Sequence, residues 1–409
     1  MYRLTYAQLL NDLYKAYYDA RCHKRQRAYQ QRFERRADFE LADLCHDLYF
    51  RHYTPRTSAC FTITDPKKRE VFAADFRDRI VHHLYYNYTH TLYERTFVAD
   101  TYSCIVGRGT HYGIRRLQQH IRSASSNYTV PCYVLKMNIR GYFMHIDRQR
   151  LLQICLESLD SMATHCIDKH DVTRWCDVVD MDFVRWLTRE IVMLDPLSDC
   201  RRVGRLSDWD DLPPSKSLFY SPEGCGLPIG NLTSQLFSNV YLNKLDQYMK
   251  RTLHCRHYGR YVDDFYVVDT DREWLHQIVQ QVRPWLKQEL GLTLHEGKVM
   301  LRNVKYGVDF LGACVRPNRI ETSAQCARRM RPKIARLCSG IGPETPTAEQ
   351  ADKVRASVNS FCGVMAHGKN YHLRADLLGN PALKRIGFFD AEMTHFTPYG
   401  DFIKTKGES

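Results

Sequence analysis

The run Arg260-Tyr-Val-Asp-Asp-Phe-Tyr-Val-Val268 sets two adjacent carboxylates, Asp263 and Asp264, among β-favouring residues. Successive side chains of a strand point to opposite faces, so neighbouring carboxylates converge on one site only at the tip of a hairpin. In a partly dry pocket such a pair repels itself, and a hard, oxygen-seeking divalent cation such as Mg²⁺ relieves the repulsion. A bare Asp-Asp pair is commonly a solvated turn. The apolar flanks here point instead to a metal-holding tip.

A chain of 409 residues can bury a sizeable core and form two or three subdomains. Its 59 Lys and Arg against 46 Asp and Glu give a net charge of +13, which suits a polyanionic partner and also suits mere solubility. The 26 Tyr and 18 Phe favour nucleic acid, because aromatic faces stack on bases while cations follow phosphates. Fifteen cysteines are scattered singly, without a C-x-x-C pair or Cys/His ligand spacing. They read as reduced thiols, which places the chain in the cytoplasm. The first residues lack an apolar signal core, and no run approaches the roughly 18 apolar residues of a membrane span, so no membrane partner is expected. There is no internal repeat and no low-complexity tract.

Helical spacing predicts helices over residues 1 to about 55, where Leu9, Leu13 and Tyr17 recur, then Leu41, Leu44 and Leu48. The basic stretch Arg21 to Arg36 between them is a solvated helix face or a contact surface. Phe61 to Thr64 is a short strand, followed by a basic turn at Pro66-Lys-Lys-Arg-Glu70 and a helical segment to about residue 95. Gly107-Arg-Gly-Thr110 opens another helix, where backbone N–H groups and Arg108 can meet phosphate. Tyr133 to Ile139 is a strand, and helices are expected over Arg148–Leu159 and around Phe183–Leu194. The polar segment Asp195 to Pro214 reads as a surface loop or insertion. Leu232 to Arg251 reads as one long helix, the strand at Tyr261 follows, then a helix to Leu290 and a hairpin around Lys298 and Phe310-Leu311-Gly312. From about residue 316 the chain reads as a basic, helical subdomain.

In this order the pieces resemble a reverse transcriptase, from about residue 61 to 375. Lys67-Lys-Arg-Glu70 with Asp78-Arg79 is similar to that family's first fingers motif, and Thr101-Tyr-Ser-Cys104 with Gly107-Arg-Gly109 to its second. Lys136-Met-Asn-Ile139 through Tyr142-Phe143 and Ile146-Asp147 resembles the first palm motif, and Gly226-Leu-Pro-Ile-Gly-Asn-Leu-Thr-Ser-Gln235 the palm helix. Lys298 and Phe310-Leu311-Gly312 match later palm motifs, the last being the primer-gripping hairpin. The resemblance implies an α+β fold, the right-hand polymerase, with fingers, a palm carrying an antiparallel sheet, and a helical thumb. Its parts would be an N-terminal helical extension (1–60), fingers (61–135), a first palm segment (136–147), helices with an insertion loop (148–220), palm (221–315), and thumb with tail (316–409).

Where intron and retroviral enzymes usually carry Gln-Gly and then Ser-Pro, this chain has Ile229-Gly230 and then Ser234-Gln235. That signature, with Ser360-Phe-Cys-Gly363 and His367-Gly-Lys-Asn-Tyr371 downstream, resembles reverse transcriptases of diversity-generating retroelements. It implies error-prone, adenine-mutagenic cDNA synthesis from a structured template RNA, known as mutagenic retrohoming, which diversifies a target gene. The partners implied are that RNA, the cDNA or primer, dNTPs, and a small basic helical accessory protein, expected to be oligomeric. The implied cofactor is Mg²⁺, two ions, with Mn²⁺ as the alternative. Asp263, Asp264, position 138 and Ile139 would form the metal site. Arg69, Arg108, Phe143, Ile229, Gly230, Gln235 and Lys298 would meet the nucleotide, with Phe143 crowding the sugar 2′ position. Phe310, Leu311 and Gly312 would grip the primer.

Position 138 departs from the family, which has an Asp there bridging both metals; this chain has Asn138. The amide keeps the shape and loses the charge, so the chain is expected to be nearly inactive as a polymerase. Deliberate inactivation and a naturally silent relative both produce such an exchange. A milder departure lies between Cys104 and Gly107, where Ile105 and Val106 replace a common basic residue and leave the phosphate contact to Arg108. The rival readings are a group II intron-like or defence-associated reverse transcriptase, and a non-catalytic RNA-binding scaffold derived from one. Ile229 and Gln235 argue against the intron form, and the retained Asp263 and Asp264 against the scaffold.

Overall fold

The computed structural model describes residues 2–22, 27–64, 67–167, 172–342, 346–366 and 368–400. The chain divides into two compact units that interleave in sequence. One takes residues 1–107, 136–265 and 276–299, and the other 108–135, 266–275 and the chain from 300 on.

In the first unit the leading helix, Tyr6–Arg21, starts at a reciprocal cap: the Thr5 hydroxyl accepts from the Gln8 N–H, and the Gln8 side chain accepts from the Thr5 N–H. Its buried face, Leu9, Leu13, Ala16 and Tyr17, recurs every three to four residues and packs against the helices Ala37–Tyr49 and Phe76–Glu94. Of the basic stretch between Arg21 and Arg36, residues 23–26 lie outside the described residues. Around that gap Arg21 pairs with Glu34 at 3.2 Å, and the Arg36 guanidinium covers the exposed Phe39 ring.

A three-stranded sheet follows. Ser58–Ile63 pairs antiparallel with Arg69–Ala73, Cys60 opposite Phe72, and pairs parallel with Cys200–Arg202. Pro66, in the expected basic turn, lies outside the described residues. The segment 195–214 is therefore more than the surface loop its composition predicts, because it supplies the third strand and is tied down. The buried Glu70 carboxylate accepts from Trp209 Nε1 (2.8 Å), Ser217 Oγ (3.0 Å) and the Leu218 N–H (2.7 Å). The Arg202 guanidinium lies 3.9 Å from the Phe219 ring centre.

Farther on, the helix Leu232–Gln247 buries Leu236, Phe237, Val240, Tyr241 and Leu245, and its last turn widens into a π-helical turn over Tyr248–Thr252. His257–Tyr261, Asp264–Asp269 and Tyr133–Asn138 are successive neighbours within one sheet. The first two are joined by only two residues, which requires them to run antiparallel.

The second unit holds the helix Thr110–Ala124, which buries Ile114, Leu117 and Ile121, and an antiparallel sheet of Val308–Phe310, Ala313–Arg316 and Arg319–Thr322. Its first turn is Leu311-Gly312, with φ of +50° and +88°, the paired left-handed geometry that suits a two-residue hairpin. The helices Ala324–Ser339, Ala348–Met365 and Tyr371–Leu378 then enclose Met330, Ile334, Val358, Cys362, Met365 and Leu378. A short antiparallel pair, Gly387–Phe389 with Phe396–Pro398, closes that core, so the C-terminal part is not wholly helical. His367 lies outside the described residues. Nearby, Asn370 donates to the Met365 carbonyl and accepts from the Thr322 N–H, joining a helix end to the sheet.

Candidate active site

Asn138 ends its strand beside the Asp263-Asp264 tip. The Ile139 N–H donates to the Asp263 carbonyl at 3.2 Å, and the His295 N–H donates to the Asn138 carbonyl at 2.7 Å, so backbone bonds fix the approach from both sides. The Asn138 Nδ2 then donates to both carboxylates, 3.0 Å to Asp263 Oδ2 and 2.7 Å to Asp264 Oδ1. Its Oδ1 accepts from Lys298 Nζ at 2.8 Å. The four groups make a chain from ammonium to amide to paired carboxylates.

Burial, then the neighbouring Asp264 charge, raise the Asp263 carboxyl above the usual carboxylate range; the Asn138 hydrogen bond and Lys298 oppose the shift. Two hard carboxylates suit a divalent cation taking oxygen ligands. Among the described residues no three His, Cys, Asp or Glu side chains converge as a metal-holding group; at this tip the group beside the two carboxylates is the Asn138 amide.

Val262, between the strands, has φ of +53°. For a β-branched residue this is strained, by about 1–3 kcal/mol, and persists only where surroundings impose it. The Val262 N–H donates to Ser103 Oγ at 3.1 Å, and its carbonyl accepts from Arg260 Nη1 at 3.1 Å.

The other residues singled out by sequence fall into separate groups. Phe143 and Ile229, both half-buried, pack against one cluster of Cys60, Phe72, Met144 and Leu218. Ile229 is also tied to the first sheet by its backbone, its carbonyl accepting from the Phe72 N–H at 2.8 Å. Gly230 follows with φ of +132°, and an added Cβ would lie 2.4 Å from the Phe72 carbonyl oxygen, so the close approach requires glycine. Gln235 is exposed on its helix, and Arg69 is exposed at the start of its strand. Arg108, Phe310, Leu311 and Gly312 belong to the second unit, with Phe310 buried and its ring edge-on to Tyr266.

Sequence reasoning placed Ser103 in a fingers motif without a role of its own, and gave none to Asn239, Asp246 or the side chain of Arg260. Asn239 and Asp246 stand seven residues apart, which puts them on one face of the helix Leu232–Gln247, and that spacing was the available signal.

Residues 211–315, about a quarter of the chain, match the family model described as reverse transcriptase (RNA-dependent DNA polymerase). The segment carries the Asp263-Asp264 tip, Ile229, Lys298 and the Leu311-Gly312 turn; Asn138 lies outside it. No curated protein matches the sequence. Solved structures similar to this one include telomerase from Candida albicans in complex with a TWJ fragment of telomeric RNA. The TM-score is 0.45 at 10% identity, covering 81% of this chain and 57% of that one. Apo telomerase from Candida tropicalis gives 0.44 at 10%, covering 82% and 63%. The Candida tropicalis enzyme with its TWJ fragment gives 0.45 at 10%, covering 84% and 56%. The chain thus spans less than two thirds of the length of these telomerases.

Proposed function

We propose that this chain is an RNA-directed DNA polymerase of the diversity-generating retroelement type, whose chemistry is suppressed by Asn138. The observation that carries the reading is the convergence of Asn138, Asp263, Asp264 and Lys298, with the carboxylate tip inside the segment that matches the reverse transcriptase family. Asp263 and Asp264 would hold the divalent cations, which when bound supply the charge that activates a primer 3′-hydroxyl and steadies departing pyrophosphate.

Asn138 gives that pair N–H donors where a third carboxylate would give acceptors. It relieves part of the repulsion between Asp263 and Asp264 and adds no negative charge to attract a cation. Lys298 holds its proton toward Asn138 Oδ1, and with an Asp at 138 it would face a carboxylate. Arg69 and Arg108 are assigned to the triphosphate, Phe143 to exclusion of ribonucleotides, and Gly230 and Gln235 to the nucleotide side of the palm. Phe310, Leu311 and Gly312 are assigned to the primer. Ile229 offers the nascent pair apolar contact only, which gives weaker discrimination than a hydrogen-bonding Gln. Template RNA, primer and a basic helical accessory protein complete the assembly.

Primer extension on an RNA template tests the reading. The chain as it stands is expected to be nearly silent in Mg²⁺, and Asn138→Asp to synthesise DNA at least a hundredfold faster. Equal, robust synthesis by the Asn form, or none by either, refutes it. In the active background, Ile229→Gln should lower misincorporation opposite adenine, and an unchanged error spectrum removes Ile229 from fidelity. The engagement of both Nδ2 donors of Asn138 by the carboxylates, with Lys298 on its Oδ1, also favours a second reading, a scaffold that binds RNA without chemistry. That reading stands if Asn138→Asp stays inactive while RNA binding persists.

A further inference from the structure

The left-handed backbone at Val262 is held from outside the tip. Arg260 and Asp246 have no exposed side-chain surface and meet as a two-point pair, Nη2 to Oδ2 at 2.6 Å and Nε to Oδ1 at 2.7 Å. Asp246 also accepts from Tyr258 Oη (2.6 Å) and Thr101 Oγ1 (3.0 Å). The remaining arm of Arg260, Nη1, donates to Asn239 Oδ1 at 3.2 Å and to the Val262 carbonyl at 3.1 Å. Asn239 Nδ2 donates to the Ser103 carbonyl at 2.7 Å, and Ser103 Oγ donates to Asn239 Oδ1 at 3.1 Å and accepts from the Val262 N–H. These bonds form a closed ring through both backbone polar groups of Val262.

The ring is assembled from three places. Residues 100–103 run beside the strand that ends at Tyr261, with the Arg260 N–H bonded to the Asp100 carbonyl and the Tyr102 N–H to the Arg260 carbonyl. Asn239 and Asp246 project from the helix Leu232–Gln247, seven residues or about two turns apart. A buried ion pair is poor evidence of stability, because well-packed apolar residues often serve as well. What an apolar substitute does not supply is a donor and an acceptor aimed at one peptide unit.

We propose that Arg260, Asp246, Asn239 and Ser103 are positioning residues that hold Val262 in the left-handed region and so set the aim of Asp263 and Asp264. Its consequence for catalysis rests on the polymerase reading above; the geometry does not. The four act through the turn, by the bonds to the Val262 N–H and carbonyl. Glycine adopts this conformation without strain. If holding Val262 is what the ring does, Val262→Gly therefore makes the ring dispensable.

Two measurements test this. First, in the chain as it stands, amide hydrogen exchange at Val262 should quicken about tenfold or more in Ser103→Ala while the core helices keep their protection. Unchanged exchange overturns the proposal. Second, in the Asn138→Asp background, Ser103→Ala and Arg260→Lys should each lower kcat about tenfold or more with the nucleotide KM within twofold. A small misplacement of reacting groups costs that much, and Lys keeps the charge but loses the planar fork. Adding Val262→Gly should restore most of the loss. A loss that glycine does not restore means the residues only support packing, and overturns the proposal. If Asn138→Asp alone makes no DNA, the polymerase reading fails, and the exchange measurement alone decides the ring.

Discussion

Asp78 and His82 stand one turn apart on the helix Phe76–Glu94 and line the same small cavity, about 40 Å³, yet their ionisations pull stability in opposite directions. Burial pushes the Asp78 carboxyl up to about 6, against hydrogen bonds from Tyr53 Oη and the Arg56 N–H that favour the anion. Burial takes His82 down to about 4, its Nδ1 3 Å or less from Thr233 Oγ1, at 2.8 Å. A carboxyl raised in the fold is a penalty that builds from pH near 4, is complete above pH 6, and is relieved as pH falls. A histidine lowered in the fold penalises the native state as pH falls from about 6.5 to 4, when the unfolded chain takes up the proton first. Each is worth on the order of 3 kcal/mol, so in wild type they largely cancel between pH 6.5 and 4. Relative to the parent chain, denaturant midpoints across that window should therefore drop with acid in Asp78→Asn and rise with acid in His82→Gln. Parallel pH profiles for the two variants would show that neither group is coupled to folding. Gly230 makes a simpler prediction: Gly230→Ala must both adopt φ of +132° and displace the Phe72 carbonyl. It should lower stability by about 2 kcal/mol or more, read from the denaturant midpoint.

At the scale of elements, Glu70 is the clearest case of one side chain organising a segment. Removing its carboxylate leaves three donors, Trp209 Nε1, Ser217 Oγ and the Leu218 N–H, facing a site that no longer accepts from them. Each unsatisfied group costs about 1–3 kcal/mol. Glu70→Ala is accordingly expected to lose several kcal/mol and to open 200–216 to limited proteolysis before the rest of the chain. Cleavage no faster than wild type would mean that the strand Cys200–Arg202 and the Arg202–Phe219 contact hold the segment unaided. This segment also shows where sequence reasoning stops. The helices and the two-residue turn at the tip were legible because helical spacing and strand alternation are local signals, and Leu9-Leu13-Tyr17 or Asp263-Asp264 carry them without reference to distant residues. The partners of Glu70 lie about 140 residues away, and a lone Trp among polar residues predicts nothing by itself. The same holds within the site: Asn138 and the Asp pair were readable as types, whereas the Ser103–Asn239–Arg260 ring depends on contacts across 136 and 21 residues. The π-helical turn at Tyr248–Thr252 has no sequence signal that we can identify.

At the scale of the whole molecule, the charge balance and the candidate site make one joint prediction. A net charge of +13 serves solubility or a polyanion, and salt separates the two, because each phosphate neutralised releases counterions and steepens the fall of affinity with ionic strength. A protein meeting six to ten phosphates loses roughly 10³–10⁵ in affinity between 50 and 200 mM salt. Fluorescence anisotropy with an RNA–DNA hybrid in EDTA should give this steep dependence for the chain as it stands, since Asn138 already moderates the repulsion between Asp263 and Asp264 without a cation. Asn138→Asp should bind several-fold more weakly in EDTA, with a third carboxylate set against the phosphates, and should recover in millimolar Mg²⁺ with its salt slope unchanged. The slope reports the basic surface and the Mg²⁺ response reports the carboxylates, so the two properties are read separately. A slope near zero would assign the charge to solubility. Equal binding of both forms with and without Mg²⁺ would place the nucleic acid away from the Asp263-Asp264 tip.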